Sequence, residues 1–104
     1  MANRNKSYDE VLAKKFDNLE YAQGYLLNIM KSEKASINKA LIETIKAMGL
    51  QNFANKSGLS IQSVSDFVQK RQKWSTDKLA KHIKKVFRLN VIISLESAYA
   101  RKAA

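Results

Sequence analysis

The chain has 104 residues, with 19 Lys plus Arg against nine Asp plus Glu for a net charge of +10, no cysteine and no proline. That length holds one small domain and excludes a multi-domain enzyme, while the 45% apolar content separates the chain from a disordered polycation. Without cysteine there is no disulfide framework, thiolate metal site or cysteine nucleophile, and a cytoplasmic protein is expected.

The first ten residues contain no apolar run of the kind a secretory signal needs. No stretch approaches the roughly 20 apolar residues of a bilayer span, so a soluble protein is expected. Charge is unevenly placed: residues 1–52 carry eight basic and six acidic side chains, residues 53–104 eleven and three. The basic second half favours phosphate, in nucleic acid or anionic lipid, and is also compatible with plain solubility.

The periodicity predicts helices almost throughout. Ser7 caps the first, with Asp9 and Glu10 in its first turn and a stripe of Tyr8, Val11, Leu12 and Phe16; it ends near Asp17. Asn18 caps a second along Leu19, Ala22, Tyr25, Leu26, Ile29 and Met30. Ser36 caps a third through Ile37, Ala40, Leu41, Ile45 and Met48, which Gly49 stops. Two turns follow from Leu50 to Ser57, then a break at Gly58-Leu59-Ser60, a helix over 61–70 and a basic loop. Ser75 or Thr76 caps the last helix, with Asp77 in its first turn and Leu79, Ile83, Val86 and Phe87 as its buried stripe. Beyond Asn90, Val91, Ile93 and Leu95 alternate as one face of a strand, which pairs with its copy in a dimer or packs on the helices; residues 98–104 are read as a tail.

Leu50 to Gln69 fits a helix-turn-helix unit. Ala54 is small where two helices cross, Gly58 suits a turn residue of positive φ, Leu59 plugs the corner, Ser60 caps the second helix and Val64 packs it on the first. Phe53, Phe67 and Val68 complete the apolar set. Ile61, Gln62, Ser63, Ser65, Asp66 and Gln69 are left to point outward or across the N-terminal face, beside Lys70, Arg71 and Lys73. Amides and hydroxyls beside cations are the groups that read base edges and hold phosphates. A packed helical bundle with a similar hairpin is the plain structural alternative.

From about Ile37 to Val91 the sequence resembles the Xre-type helix-turn-helix domains, the phage-repressor-like family. The resemblance is carried by Phe53-Ala54, Ser57-Gly58-Leu59-Ser60, Val64-Ser65, Ser75-Thr76-Asp77-Lys78-Leu79 and Val86-Phe87-Arg88-Leu89-Asn90-Val91. Asp17-Asn18-Leu19-Glu20-Tyr21-Ala22-Gln23-Gly24-Tyr25-Leu26 looks like the entry segment of addiction-module antidote proteins, the DNA-binding antitoxins of toxin–antitoxin operons. Lys70 stands where the family often has glycine, Val68 where it often has glutamate, and Asn18 where the antidote group has proline.

The resemblance implies an all-α fold of five to six helices with a short C-terminal β-like segment. It divides one domain, 1–104, into N-terminal helices over 7–35 that hold a partner or toxin, a DNA-binding core over 36–89, and a strand-like segment and tail over 90–104. The implied function is a homodimeric repressor of transcription, a bacterial or phage-encoded, nucleoid-associated antitoxin that binds a near-palindromic operator in double-stranded DNA and a toxin protein. A stand-alone or phage regulator, or a protein-interaction module that sequesters a toxin, is the alternative. By transfer from the family's motif positions, Ile61, Gln62, Ser63 and Asp66 contact bases, with Gln62 the foremost because Gln can pair bidentately with adenine. Asp66 either accepts from cytosine N4 or is a solvated acid or internal ion-pair partner; Ile61 either touches a thymine methyl or packs. Ser60, Gln69, Lys70, Arg71, Gln72 and Lys73 contact phosphate.

Trp74, the only tryptophan, is expected to close the core rather than to press on the sugar-phosphate backbone. Lys78, Lys81, Lys84, Lys85 and Arg88 fall on the outer face of the last helix. His82, the only histidine, has no carboxylate at ligand spacing and is expected in a surface or structural role. Tyr8, Tyr21, Tyr25 and Tyr99 are read as core or interface residues. The scattered acids form no Glu-x-x-His pair or Ser-His-Asp constellation, and there is no Gly-rich phosphate loop, so neither an enzyme, a metal site nor a cofactor is expected.

Overall fold

The structure, a computed structural model, describes residues 11–92. Within them the chain is all-α, with no strand. Residues 11–15 are helical and close in a tight turn, where the N–H groups of Phe16, Asp17 and Asn18 donate to the carbonyls three residues back at 3.0–3.1 Å. Five helices follow: α1 (Leu19–Ser32), α2 (Ile37–Met48), α3 (Leu50–Ser57), α4 (Ile61–Val68) and α5 (Thr76–Phe87).

Four helices start at a residue whose short side chain accepts a backbone N–H of the first turn. Asn18 takes that of Tyr21, Ser36 that of Lys39, Ser60 that of Ser63 and Ser75 that of Lys78. These are four of the five caps expected from the sequence, with Ser75 rather than Thr76 taking the last, because N-cap chemistry is local. Gly49 alone joins α2 to α3 at φ 96°, a value that disfavours any side chain, so the chain changes direction without a loop.

The core lies around α2, whose Ala40, Leu41, Ile45 and Met48 have no exposed surface. Thr44, also fully buried, satisfies its hydroxyl by donating to the Ala40 carbonyl at 2.8 Å. Ala22, Leu26 and Ile29 of α1 join the same core. The Gln23 amide donates to the Phe87 carbonyl at 2.8 Å, fastening α1 to the end of α5. Phe16 meets the rings of Tyr21 and Tyr25 edge-on at 5.1 Å, which seats the leading turn on α1.

Three expectations are corrected. The helix drawn over 61–70 ends at Val68, because Lys70 turns left-handed at φ 62°. Lys70 then donates its N–H to Phe67 and Arg71 its N–H to Asp66, at 3.1 and 2.8 Å. That pair of bonds is a Schellman ending, whose left-handed position glycine normally fills. Val91 and Ile92 lie in irregular chain rather than a strand, with Val91 packed on the core; no neighbouring strand is present among the described residues to pair with. Leu19 and Val11, placed on the apolar stripes of their helices, are 43% and 57% exposed. Ser7, Tyr8, Asp9, Glu10, Ile93, Leu95, Tyr99 and the tail lie outside the described residues.

Candidate nucleic-acid interface

α3 and α4 form a hairpin whose turn is set by Gly58 at φ 80° in the left-handed region. Ser57 is buried, and its Oγ accepts the Leu59 N–H at 3.3 Å, pinning the corner from inside while Leu59 packs on the core. Val64, Phe67 and Val68 face inward and fix the rotation of α4. The opposite face presents Ile61, 47% exposed, and exposed Gln62, with Ser63, Ser65 and Asp66 half-buried beside them.

That face is linked by hydrogen bonds. The Gln62 Nε2 donates to Asp66 Oδ1 at 3.0 Å, and the same oxygen is ion-paired with the Arg71 Nε at 3.4 Å. A second guanidinium nitrogen donates to Gln69 Oε1 at 2.6 Å, and Gln69 donates in turn to Ser65 Oγ at 3.4 Å. At the start of the helix the Ser60 hydroxyl donates to Ser63 Oγ at 3.1 Å. Asp66 therefore orients an amide on one side and a guanidinium on the other, and it carries the ion pair that was one of its expected roles. Gln62 keeps Oε1 and one N–H, the two groups a bidentate adenine contact uses.

Gln69, Lys70, Arg71, Gln72 and Lys73 are all exposed, and among the described residues no carboxylate pairs with Lys70 or Lys73. The segment is held by Trp74, 5% exposed, whose ring stacks on Phe67 at 3.9 Å and 8°. The indole thus clamps the basic loop to α4, which is the packing role expected of it. Lys78 Nζ lies 5.1 Å from the same ring.

His82 is buried, 5.2 Å from Trp74, and its Nδ1 has no hydrogen-bond partner. Burial, followed by the charges of Lys78, Lys81 and Lys85, lowers its pKa from the ordinary 6.5. Among the described residues no group of three or more His, Asp or Glu is placed to hold a metal ion, and no helix is long and apolar enough to cross a membrane.

Of the ten expected contact residues from Ser60 to Lys73, eight are exposed and Ser63 and Asp66 are half-buried; hydrogen bonds and an ion pair join Gln62, Asp66, Arg71 and Gln69, while Lys70, Gln72 and Lys73 line a separate hollow with Asn38 and Ile42. What sequence reading missed is the hub role of Asp66. The signal was present: Gln62 is one helical turn before Asp66, and Arg71 follows the helix end closely enough to return. No protein-family model matches the chain, no curated protein matches it, and no solved structure matches it.

Proposed function

We propose that the protein is a sequence-specific double-stranded DNA-binding repressor, built on a helix-turn-helix of the Xre type, that reads the major groove with α4. The observation that carries this reading is the outward face of α4, where Gln62, Asp66 and Arg71 are mutually oriented beside a carboxylate-free Lys70 and Lys73. Side chains held by neighbours lose less freedom on meeting a base edge, so orientation supports readout as well as charge supports affinity. Ile61, Gln62, Ser63 and Asp66 are assigned to the base side. Asp66 acts there chiefly by holding Gln62 and Arg71. Ser60, Gln69, Lys70, Arg71, Gln72 and Lys73 are assigned to phosphates.

The protein acts as a homodimer on a near-palindromic operator with half-sites about 34 Å apart. Its physiological setting is a toxin–antitoxin operon in the bacterial cytoplasm. A specific feature favours a protein-binding face as well: an apolar groove of about 470 Å³ between α1 and α5, lined by Leu26, Leu27, Met30, Leu79 and Ile83, where Leu27 is 50% exposed.

Fluorescence anisotropy on the chain's own promoter fragment and on a scrambled duplex, across a salt series, tests the reading. A preference for the promoter of about 10³-fold or more is expected. Equal, weak and steeply salt-dependent binding to both duplexes would reduce α4 to an electrostatic surface and make the protein-binding face the leading function.

A further inference from the structure

Away from the outward face of α4, an open cleft of about 580 Å³ lies between the α3–α4 turn and one side of α5. Its walls are Ser57, Gly58 and Leu59 on one side and Ser75, Asp77, Lys78, Lys81, His82 and Lys85 on the other. Three lysines and a histidine line it with a single acidic residue, Asp77, and the Lys78 Nζ lies 5.1 Å from the Trp74 ring. Among the described residues, no ion pair neutralises Lys78, Lys81 or Lys85. A Cβ built on Gly58 would lie 3.0 Å from Lys85 Nζ. Glycine thus serves twice at this turn: it takes the left-handed φ, and it lets an ammonium group lie against the backbone.

We propose that this cleft is a phosphate-binding site, in which Lys78, Lys81 and Lys85 surround one phosphate group and His82 takes up a proton as it binds. Lys78, Lys81 and Lys85 line one cleft without a carboxylate partner among the described residues, and a bound dianion offsets the charge they bring to it. His82 lines the cleft with its Nδ1 enclosed and unpartnered, and its uncharged form is favoured by burial and by the three lysines. A phosphate reverses the lysine contribution and offers an acceptor to the imidazolium.

The other charged groups on the elements packed against α5 are turned to other partners or to solvent. Lys56 of α3 pairs with Asp17 at 3.3 Å, and Glu20 and Lys31 of α1 are exposed. Asp77 is the opposing charge within the cleft. The proposal does not depend on the reading of α4, since a free phosphate and a nucleic-acid backbone present the same group.

The chain has one histidine and one tryptophan 5.2 Å apart, so the imidazole resonances and Trp74 fluorescence report protonation of a single ring. The full chain is titrated with acid at constant ionic strength in chloride, in inorganic phosphate, in sulfate as an anion that does not titrate near neutrality, and with a short random-sequence duplex. The expected result is a saturable rise of the His82 pKa by about half a unit or more in phosphate and sulfate. A rise with the duplex alone assigns the phosphate to nucleic-acid backbone. The double variant Lys81→Gln, Lys85→Gln keeps the aliphatic stems. It should start from a higher His82 pKa and lose the response to anions. An unchanged His82 titration in all four media, or a response that survives in the double variant, overturns the proposal.

Discussion

Lys70 shows how one residue sets the end of the candidate reading helix. Its φ of 62° costs an L-residue roughly 1–2 kcal/mol, and the Schellman bonds of Lys70 and Arg71 hold it there. Lys70→Gly removes the strain and adds chain entropy to the unfolded state, so thermal denaturation should show a net gain of up to about 1 kcal/mol. The same change removes a cation, and binding to any duplex should weaken slightly while stability rises. His82 makes the opposite kind of statement. Because its pKa in the folded chain lies below the ordinary 6.5, the unfolded chain binds the extra proton first. Stability from this group is complete above that value and is lost as pH falls through the lowered folded pKa. Denaturant melts between neutral and mildly acidic pH should show that loss, and His82→Gln should flatten the slope.

At the scale of elements, the helix starts were legible and one helix end was not. Asn18, Ser36, Ser60 and Ser75 cap because a short polar side chain meets an unpaired N–H a few atoms away, which needs no knowledge of the rest of the chain. The end of α4 is different. No glycine or proline marks it, and a lysine adopts the turn because Trp74, four residues on, is anchored against Phe67 and draws the chain back. The candidate contact surface was likewise legible as a set of residue types, and the Asp66 hub follows from its local spacing to Gln62 and Arg71, whereas the Lys85–Gly58 approach depends on tertiary placement. Trp74→Ala should cost about 3–5 kcal/mol, since it empties a stacked, buried site. If the indole also orders the basic loop, Trp74→Phe should keep most of the fold, and DNA affinity should fall more than a urea melt of that variant accounts for.

For the whole molecule, the distribution of charge and the proposed twofold assembly make one joint prediction. Cationic contacts to DNA release counterions, so the logarithm of affinity falls with the logarithm of salt by about 0.9 per phosphate neutralised. Lys73 is exposed and, among the described residues, pairs with no carboxylate, so Lys73→Gln removes charge without disturbing an ion pair. In a monomeric complex that change lowers the magnitude of the salt slope by about one. In a dimer every variant residue occurs twice on the operator, and the loss becomes about two. Gln62→Ala on the same promoter should instead cost about 1–3 kcal/mol per half-site with the slope unchanged, because a base-edge contact releases no counterion. Anisotropy across salt for these two variants and the parent chain separates the cases. A Lys73 variant with the parental slope removes that loop from the DNA interface, while a slope change of one keeps the interface and dismisses the dimer.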